Sequence, residues 1–264
     1  MTGVPDFIGS ALVPERWPTF ALLTGRIGGL MLTAPAWSCT TLPASIRSAV
    51  TVVLALVLLP SAPAAPLPAQ VLDLPLPMAA ELAIGVVIGL TAAVLVNAVG
   101  FAGEVVSMQM GLSIAPALSP VPEMQVVGLG QVSTLLAVLI YLALGGHLVL
   151  LRALAHSLQV LPPGGGIEFT GGGPTAVALA GQLFACAASA AGPVMVTLLL
   201  ANIALAVLSR AVPQINAMTV SFPVTIALGL LMYSVSLPNV SNVIARWLGA
   251  LPGVAEGVLV PFMH

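Results

Sequence analysis

Lysine is absent from this chain of 264 residues, and charged side chains make up only 5% of it. Ordinary soluble domains carry roughly a quarter charged residues. A soluble surface built from so few charges would expose large apolar patches, so the composition indicates a membrane protein in contact with lipid. The six basic residues, all arginines, are not clustered, which argues against a nucleic-acid partner.

Cysteines and catalytic motifs are equally scarce. Cys39 and Cys186 lie in or beside apolar segments without paired spacing, so both are predicted to be small buried hydrophobes rather than a disulfide or metal site. The sequence has no G-x-S-x-G or H-E-x-x-H motif, and no pair of carboxylates with a plausible shared site. We therefore expect no enzymatic activity, no cofactor and no bound metal.

Long apolar runs dominate what is present. A membrane helix needs about 20 apolar residues to cross a hydrocarbon core of about 30 Å. The candidate runs are Trp17–Pro35, Ile46–Leu59, Met78–Gly103, Val127–Leu151, Thr175–Leu208 and Thr219–Leu237, and a weaker amphipathic segment follows from Asn239 to Val260. The fifth run contains Gly192-Pro193 and is expected to kink or split. The predicted fold class is an all-α membrane protein with about six long hydrophobic helices arranged as hairpins.

Glycines recur at a spacing typical of close helix packing. Gly25-x-x-x-Gly29 and Gly85-x-x-x-Gly89 each place two glycines on one helix face, where another backbone can approach. The pattern favours helices that pack against protein rather than lipid. We assign Gly85 and Gly89 to packing.

The segment Val106–Gln125 is apolar but cannot form one continuous helix, because it contains Gly111, Pro116, Pro120 and Pro122. An irregular segment at membrane depth is tolerated only where protein buries it or where it lines a cavity. Two interpretations remain open at this point. The segment is either an ordinary surface loop or a broken, re-entrant-like loop that obstructs a pore.

A few polar residues interrupt the apolar runs. A charged group facing lipid costs about 2.5–3.5 kcal/mol on insertion scales, so each must face protein, water or the interface. The set includes Arg26, Glu81, Glu104, Arg210, Gln214 and Asn216. Glu104 is either a membrane-embedded acid in transport or the point where a helix meets water, and we favour the second. A polar site near Arg210, Gln214 and Asn216 is compatible with a small-solute permease.

Four elements, in this order, resemble the FliR family of flagellar type III export-gate proteins. They are GEVVSMQMGLS (Gly103–Ser113), GGHLVLL (Gly145–Leu151), LPPGGG (Leu161–Gly166) and LSRAVPQINAMTVSFP (Leu208–Pro223). The related T-type export-apparatus proteins of virulence-associated injectisomes share the pattern. The resemblance spans almost the whole chain, and it implies a multi-pass protein of the bacterial inner membrane, in the flagellar basal body, that is not an enzyme.

The resemblance also implies partners and a division of the chain. Residues 1–165 resemble the P-like subunit of the export gate, and residues 166–264 resemble the helical hairpin of the Q-like subunit. The expected partners are P-like and Q-like gate subunits, the B-like and A-like export-apparatus proteins, and unfolded export substrates in transit. An injectisome subunit, a small-solute permease and an architectural scaffold that never contacts substrate remain as alternatives.

The family pattern implies two functional segments. The loop Gly111–Glu123 would plug the closed channel, and the plug residues carried over from the family are Gln109, Met110, Gly111, Leu112, Ser113, Ile114, Leu118 and Pro120. Many members have Phe where Ile114 stands and Asp where Ser119 stands, so the plug would be smaller here. The residues assigned to assembly and packing are Arg210, Pro213, Gln214, Asn216, Gly85, Gly89 and Glu104.

Overall fold

The computed structural model describes residues 16–37, 42–66, 74–112, 128–165, 172–211 and 217–259. Within these ranges the chain forms seven α-helices and no strand, which confirms the all-α prediction. The helices are α1 (Trp17–Thr33), α2 (Ala44–Leu58), α3 (Pro75–Gln109), α4 (Leu129–Ala143), α5 (Gly146–Val160), α6 (Gly172–Ala211) and α7 (Ala217–Leu259).

Three of the helices are longer than a bilayer requires. The helices α3, α6 and α7 have 35, 40 and 43 residues. At about 1.5 Å per residue, each is more than about 50 Å long. By length and composition, the segments Ala44–Ser61, Pro75–Gln109, Ala180–Ala211 and Val220–Leu251 can each cross a membrane. A helix satisfies its own backbone hydrogen bonds, and therefore these apolar sequences adopt it.

The observed helix boundaries differ from the predicted ones at three places. The run Val127–Leu151 was expected to be one helix, but α4 and α5 meet at an angle of 66°. Gly145, in the break, has φ of +73°, which glycine adopts without a steric penalty. The predicted split at Gly192-Pro193 does not occur, because α6 continues through Pro193. The amphipathic segment after Asn239 is a continuation of α7.

The chain divides into two compact units. The first comprises Met1–Ala93, Gly145–Leu179 and Leu248–His264, and the second comprises Val94–Leu144 and Ala180–Trp247. The division at residue 165 into a P-like and a Q-like part is a separate, family-based prediction, and it stays a prediction.

Close contact between α1 and α3 forms the centre of the first unit. A Cβ atom added to Gly29 would overlap the carbonyl oxygen of Leu82 and lie 2.8 Å from the backbone nitrogen of Val86. A Cβ atom on Gly85 would overlap the carbonyl oxygen of Arg26, and one on Gly89 would overlap the hydroxyl of Thr33. The two helix backbones therefore touch, which only glycine permits at these positions.

A buried ion pair joins the same two helices. Arg26 Nε donates to Glu81 Oε2 at 2.5 Å, and the two side chains are 0% and 2% exposed. The remaining guanidinium donors reach the carbonyl oxygens of Ser157 and Leu161, at 3.0 and 2.9 Å. Glu81 Oε1 accepts from the backbone N–H of Gly164 at 3.1 Å. Since a buried charge is stable only when paired and fully hydrogen-bonded, this network fixes α1, α3, α5 and the following loop together.

In the second unit, the carboxyl-terminal half of α3 packs against α4. Cβ atoms added to Gly100 and Gly103 would overlap the hydroxyl oxygens of Thr134 and Ser133. The hydroxyl of Ser133 is also 2.7 Å from that of Tyr233, which connects α4 to α7. The end of α3 is thus held between two helices.

Candidate functional site

The end of α3 forms a tight turn at the start of the predicted plug. The backbone N–H of Met110 donates to Val106 and that of Gly111 donates to Met108, both at 3.0 Å. Gly111 has φ of +80°, a left-handed conformation that commonly ends a helix and that glycine adopts readily. The sequence Gln-Met-Gly-Leu therefore stops the helix and redirects the chain.

Met110 is held in a notch on α7. Its side chain is fully buried, and a Cβ atom added to Gly229 would lie 2.5 Å from Met110 Cε and 2.7 Å from Met110 Cγ. The hydroxyl of Thr225 lies 3.3 Å from the carbonyl oxygen of Met110 and 2.9 Å from that of Ser221, one turn earlier in α7. Glycine at position 229 leaves the space that the flexible thioether fills.

Phe222 covers the backbone of the turn. A Cβ atom added to Gly111 would lie 2.6 Å from Cε1 and 3.0 Å from Cδ1 of the ring. Gly111 is thus required twice, once for its φ angle and once for the space above it. We refer to Met110, Gly111, Phe222, Thr225 and Gly229 together as the turn anchor.

The turn anchor brings together two motifs that are about a hundred residues apart in sequence. Met110 and Gly111 lie in the motif Gly103–Ser113, while Phe222 belongs to the motif Leu208–Pro223. Met110 and Gly111 were predicted as site residues from the sequence, whereas Phe222, Thr225 and Gly229 were not. A single glycine among large residues in IALGLLM was the signal available for Gly229.

The other predicted plug residues are only partly described. Gln109 and Leu112, which flank Met110 and Gly111, are half-buried. Ser113, Ile114, Leu118 and Pro120 lie outside the described residues, as does the rest of the predicted re-entrant-like loop. The path of the plug beyond Leu112 stays a prediction.

Four of the seven predicted assembly residues, Arg210, Gly85, Gly89 and Glu104, lie within the described residues. Arg210 is exposed in the last turn of α6, where a cation suits the helix dipole. Pro213, Gln214 and Asn216 lie outside the described residues. Gly85 and Gly89 face α1 in the first unit. Whether any of these residues contacts another subunit stays a prediction.

Glu104 is exposed and lies beside the first turn of α4. A Cβ atom added to Gly130 would overlap Glu104 Oε2, and one added to Gly128 would lie 3.5 Å from it. The free N–H groups at a helix start favour a nearby negative charge. The carboxylate therefore has a structural position within the chain, while its role in assembly stays a prediction.

A shallow groove lies between the carboxyl-terminal end of α6 and the start of α7. Its lining is Asn202, Leu205, Ala206, Leu208, Ser209, Val220 and Ser221, and its volume is about 190 Å³. Sites for small molecules usually measure about 300–1,000 Å³. Across the part of the chain that the structure describes, no cluster of three or more His, Cys, Asp or Glu side chains is placed to hold a metal ion.

Long apolar helices and a buried turn held between them define an all-α membrane protein. Residues 17–251 match the family model described as bacterial export proteins, family 1. The chain belongs to this family, which is the FliR family of flagellar export proteins. The resemblance inferred from the motifs is thereby confirmed.

Relatives in distant bacteria match most of the chain, and each is named flagellar biosynthetic protein FliR. The relative from Escherichia coli (strain K12) is 29% identical over 226 residues, covering 85% of this chain and 84% of that protein. The relative from Bacillus subtilis (strain 168) is 28% identical over 228 residues, covering 84% and 87%. The relative from Caulobacter vibrioides is 27% identical over 225 residues, covering 84% and 90%.

Proposed function

We propose that this chain is a multi-pass inner-membrane subunit of the flagellar type III protein export gate. In this proposal it assembles with P-like and Q-like subunits into a channel for unfolded flagellar proteins, and it catalyses no reaction. Membership in the FliR family supports a membrane component of flagellar export. The flagellar name of the relatives favours a flagellum over an injectisome.

Uncovered apolar surface supports assembly with other subunits. In the segments Ala180–Ala211 and Val220–Leu251, only 17% of the most apolar part is buried within the chain. Exposed side chains on these helices include Leu199, Leu200 and Leu231. Lipid alone can cover such faces. Hydroxyl and amide side chains also lie on these two helices, however, and such side chains favour contact with protein.

The turn anchor is the observation that carries the gate proposal. A plug that blocks the resting channel and moves aside for substrate needs one end fixed to the rest of the protein and a loop that can move. We call the fixed end the plug root and the loop the plug body. Met110 provides the plug root, because its fully buried side chain fills the notch at Gly229. The proposed movement therefore begins after Leu112, and the turn anchor stays in place while the segment Ser113–Glu123 is displaced.

The test removes the plug body and leaves its root. Residues 113–123 are replaced by a short Gly/Ser linker in cells that also express the P-like and Q-like partners. We expect increased leakage of ions and small molecules through the inner membrane. A control replaces the eight residues 66–73 by Gly/Ser, and complex recovery is measured in all strains. Unchanged leakage with normal complex recovery would contradict the plug.

The permease alternative predicts a different result for the purified chain. A lone permease transports solute in vesicles, whereas a single gate subunit without its partners does not. The groove between the end of α6 and the start of α7 is smaller than a usual ligand site and is lined by side chains without charge. Solute uptake by the purified chain alone would overturn the export-gate proposal.

A further inference from the structure

Pro193 lies inside α6, a helix that continues without a break from Gly172 to Ala211. Proline has no backbone N–H, so the carbonyl oxygen four residues earlier, that of Ser189, loses its usual helical donor. Ser189 is exposed within the segment Ala180–Ala211, which is apolar enough to cross a membrane, and lipid offers no donor to an unpaired carbonyl. The carbonyl of Ser189 therefore requires a donor from elsewhere.

Asn239 on α7 provides that donor. Its side-chain Nδ2 donates to the carbonyl oxygen of Ser189 at 3.0 Å. One turn earlier on α7, the buried hydroxyl of Ser236 lies 3.4 Å from the carbonyl oxygen of Ala190, to which it donates. The carbonyl oxygen that Pro193 leaves without a helical donor is thus the one to which Asn239 donates.

We propose that Asn239 replaces the missing N–H of Pro193 and thereby fixes the axial register between α6 and α7. The buried residues near these bonds are apolar and small or aliphatic, among them Ala187, Ala191, Val194, Val240 and Val243. Contacts of this kind are non-directional. A hydrogen bond to the single released carbonyl forms in one register only.

The register of α7 also sets the position of the turn anchor. The helix is continuous from Ala217 to Leu259, so Asn239 and Gly229 move along its axis together. Asn239 is therefore a positioning residue for the notch that holds Met110. This consequence rests on the proposed function of the turn anchor as the root of a gate, whereas the register itself does not.

The test is a double-mutant cycle on the full chain in its own membrane, with Cys39 and Cys186 replaced by serine. Cysteines at Ala190 and Ser236 report the observed register by disulfide formation under mild oxidation. Cysteines at Ala190 with Met232, or at Ala190 with Val240, report a slip of one turn in either direction. The ratio of native to slipped cross-links is compared between chains that differ only at positions 193, 239 or 242, so the effect of the cysteines on each ratio cancels.

We expect Asn239→Ala to lower the ratio of native to slipped cross-links by roughly fivefold, the population change given by one typical hydrogen bond. In a Pro193→Ala chain, the N–H of residue 193 pairs with the carbonyl of Ser189, so Asn239→Ala should change the ratio less than about twofold. Asn242→Ala, an exposed amide three residues further along α7, is the matched control and should leave the ratio unchanged.

The proposal would be overturned if Asn239→Ala lowered the ratio of native to slipped cross-links equally in the Pro193 and Pro193→Ala chains, or lowered it in neither. If Asn239→Ala prevents accumulation of the chain, recovery of accumulation by Pro193→Ala supports it, and failure of that recovery contradicts it. Swimming is measured separately. A shifted register with normal swimming contradicts the positioning role at the gate, while the register assignment stands on the cross-links alone.

Discussion

Arg26 and Glu81 form an ion pair with Nε and Oε2 2.5 Å apart, and neither side chain is more than 2% exposed. Removing one partner leaves a buried charge without compensation, which typically costs about 3–5 kcal/mol. We predict that Arg26→Met lowers the free energy of unfolding by about that amount, and that Arg26→Met with Glu81→Leu recovers most of it. Apparent thermal unfolding of the purified chain in detergent measures the difference.

The matched control for this prediction is Arg246→Met. Arg246 is exposed, and its Nε donates to the carbonyl oxygen of Asn242 at 3.4 Å. We expect little change in its unfolding temperature. A double variant no more stable than Arg26→Met would show that the pair stabilises the chain in some other way than by mutual neutralisation.

Adjacent glycines on α1 provide a second prediction. A Cβ atom at Gly29 would overlap the carbonyl of Leu82, whereas one at Gly28 would meet no atom within 4 Å. Gly29→Ala should therefore force α1 and α3 apart and destabilise the chain by about 1–3 kcal/mol. Gly28→Ala should be neutral or stabilising by up to about 1 kcal/mol, because alanine favours a helix. Unfolding temperatures compare the two, and equal effects would contradict the close contact.

Part of this fold follows directly from the sequence, and part does not. Apolar runs predict where the long helices lie, because a bilayer demands helical backbone over that length. They do not predict that α6 continues through Pro193, or that Asn239, fifty residues from Ser189, donates to the carbonyl oxygen of Ser189. The sequence also identifies Arg26 and Glu81 as polar residues that need partners. It does not show that they are partners of each other.

The same limit applies to the turn anchor. Gly111 is readable as a helix stop, because a left-handed residue commonly follows the last helical turn. Its contact with Phe222 depends on how α7 packs against α3, and no local pattern encodes that packing. Within α7 alone, a glycine at position 229 would only weaken the helix. Its structural role is to leave space for the side chain of Met110, which the sequence near Gly229 does not reveal.

The notch at Gly229 supports a third prediction. Gly229→Ala should displace the side chain of Met110, because the new methyl group would lie 2.5 Å from its Cε and 2.7 Å from its Cγ. We expect reduced swimming and increased leakage in cells that express the complete export apparatus, because the plug root shifts. Met110→Ala in the same chain should partly restore the space.

Gly249→Ala is the control, since a Cβ atom there meets no atom within 4 Å. It should leave swimming and leakage unchanged. Normal swimming and leakage in Gly229→Ala, with a normal amount of protein in the membrane, would show that the position of Met110 does not matter for the gate.

Arg210 is suited to a test of assembly. It is exposed at the end of α6, where it stabilises the helix dipole only weakly and remains free to contact another subunit. Arg210→Ala should reduce recovery of the assembled complex more than it reduces the amount of chain in the membrane. Affinity purification through a tagged P-like partner measures the first, and a membrane immunoblot measures the second. Normal assembly with lost export would instead indicate that Arg210 acts within the channel.

Site-specific photo-crosslinking distinguishes a gate from a scaffold. A crosslinker in place of Ile114, in the proposed plug body, should capture an export substrate arrested during passage. The same crosslinker in place of Met110 should capture little substrate, because that side chain is fully buried against α7. Capture is measured by the shift of substrate on a denaturing gel after illumination. Absence of capture at Ile114, while the arrested substrate still blocks export, would favour an architectural scaffold whose loops never contact the substrate.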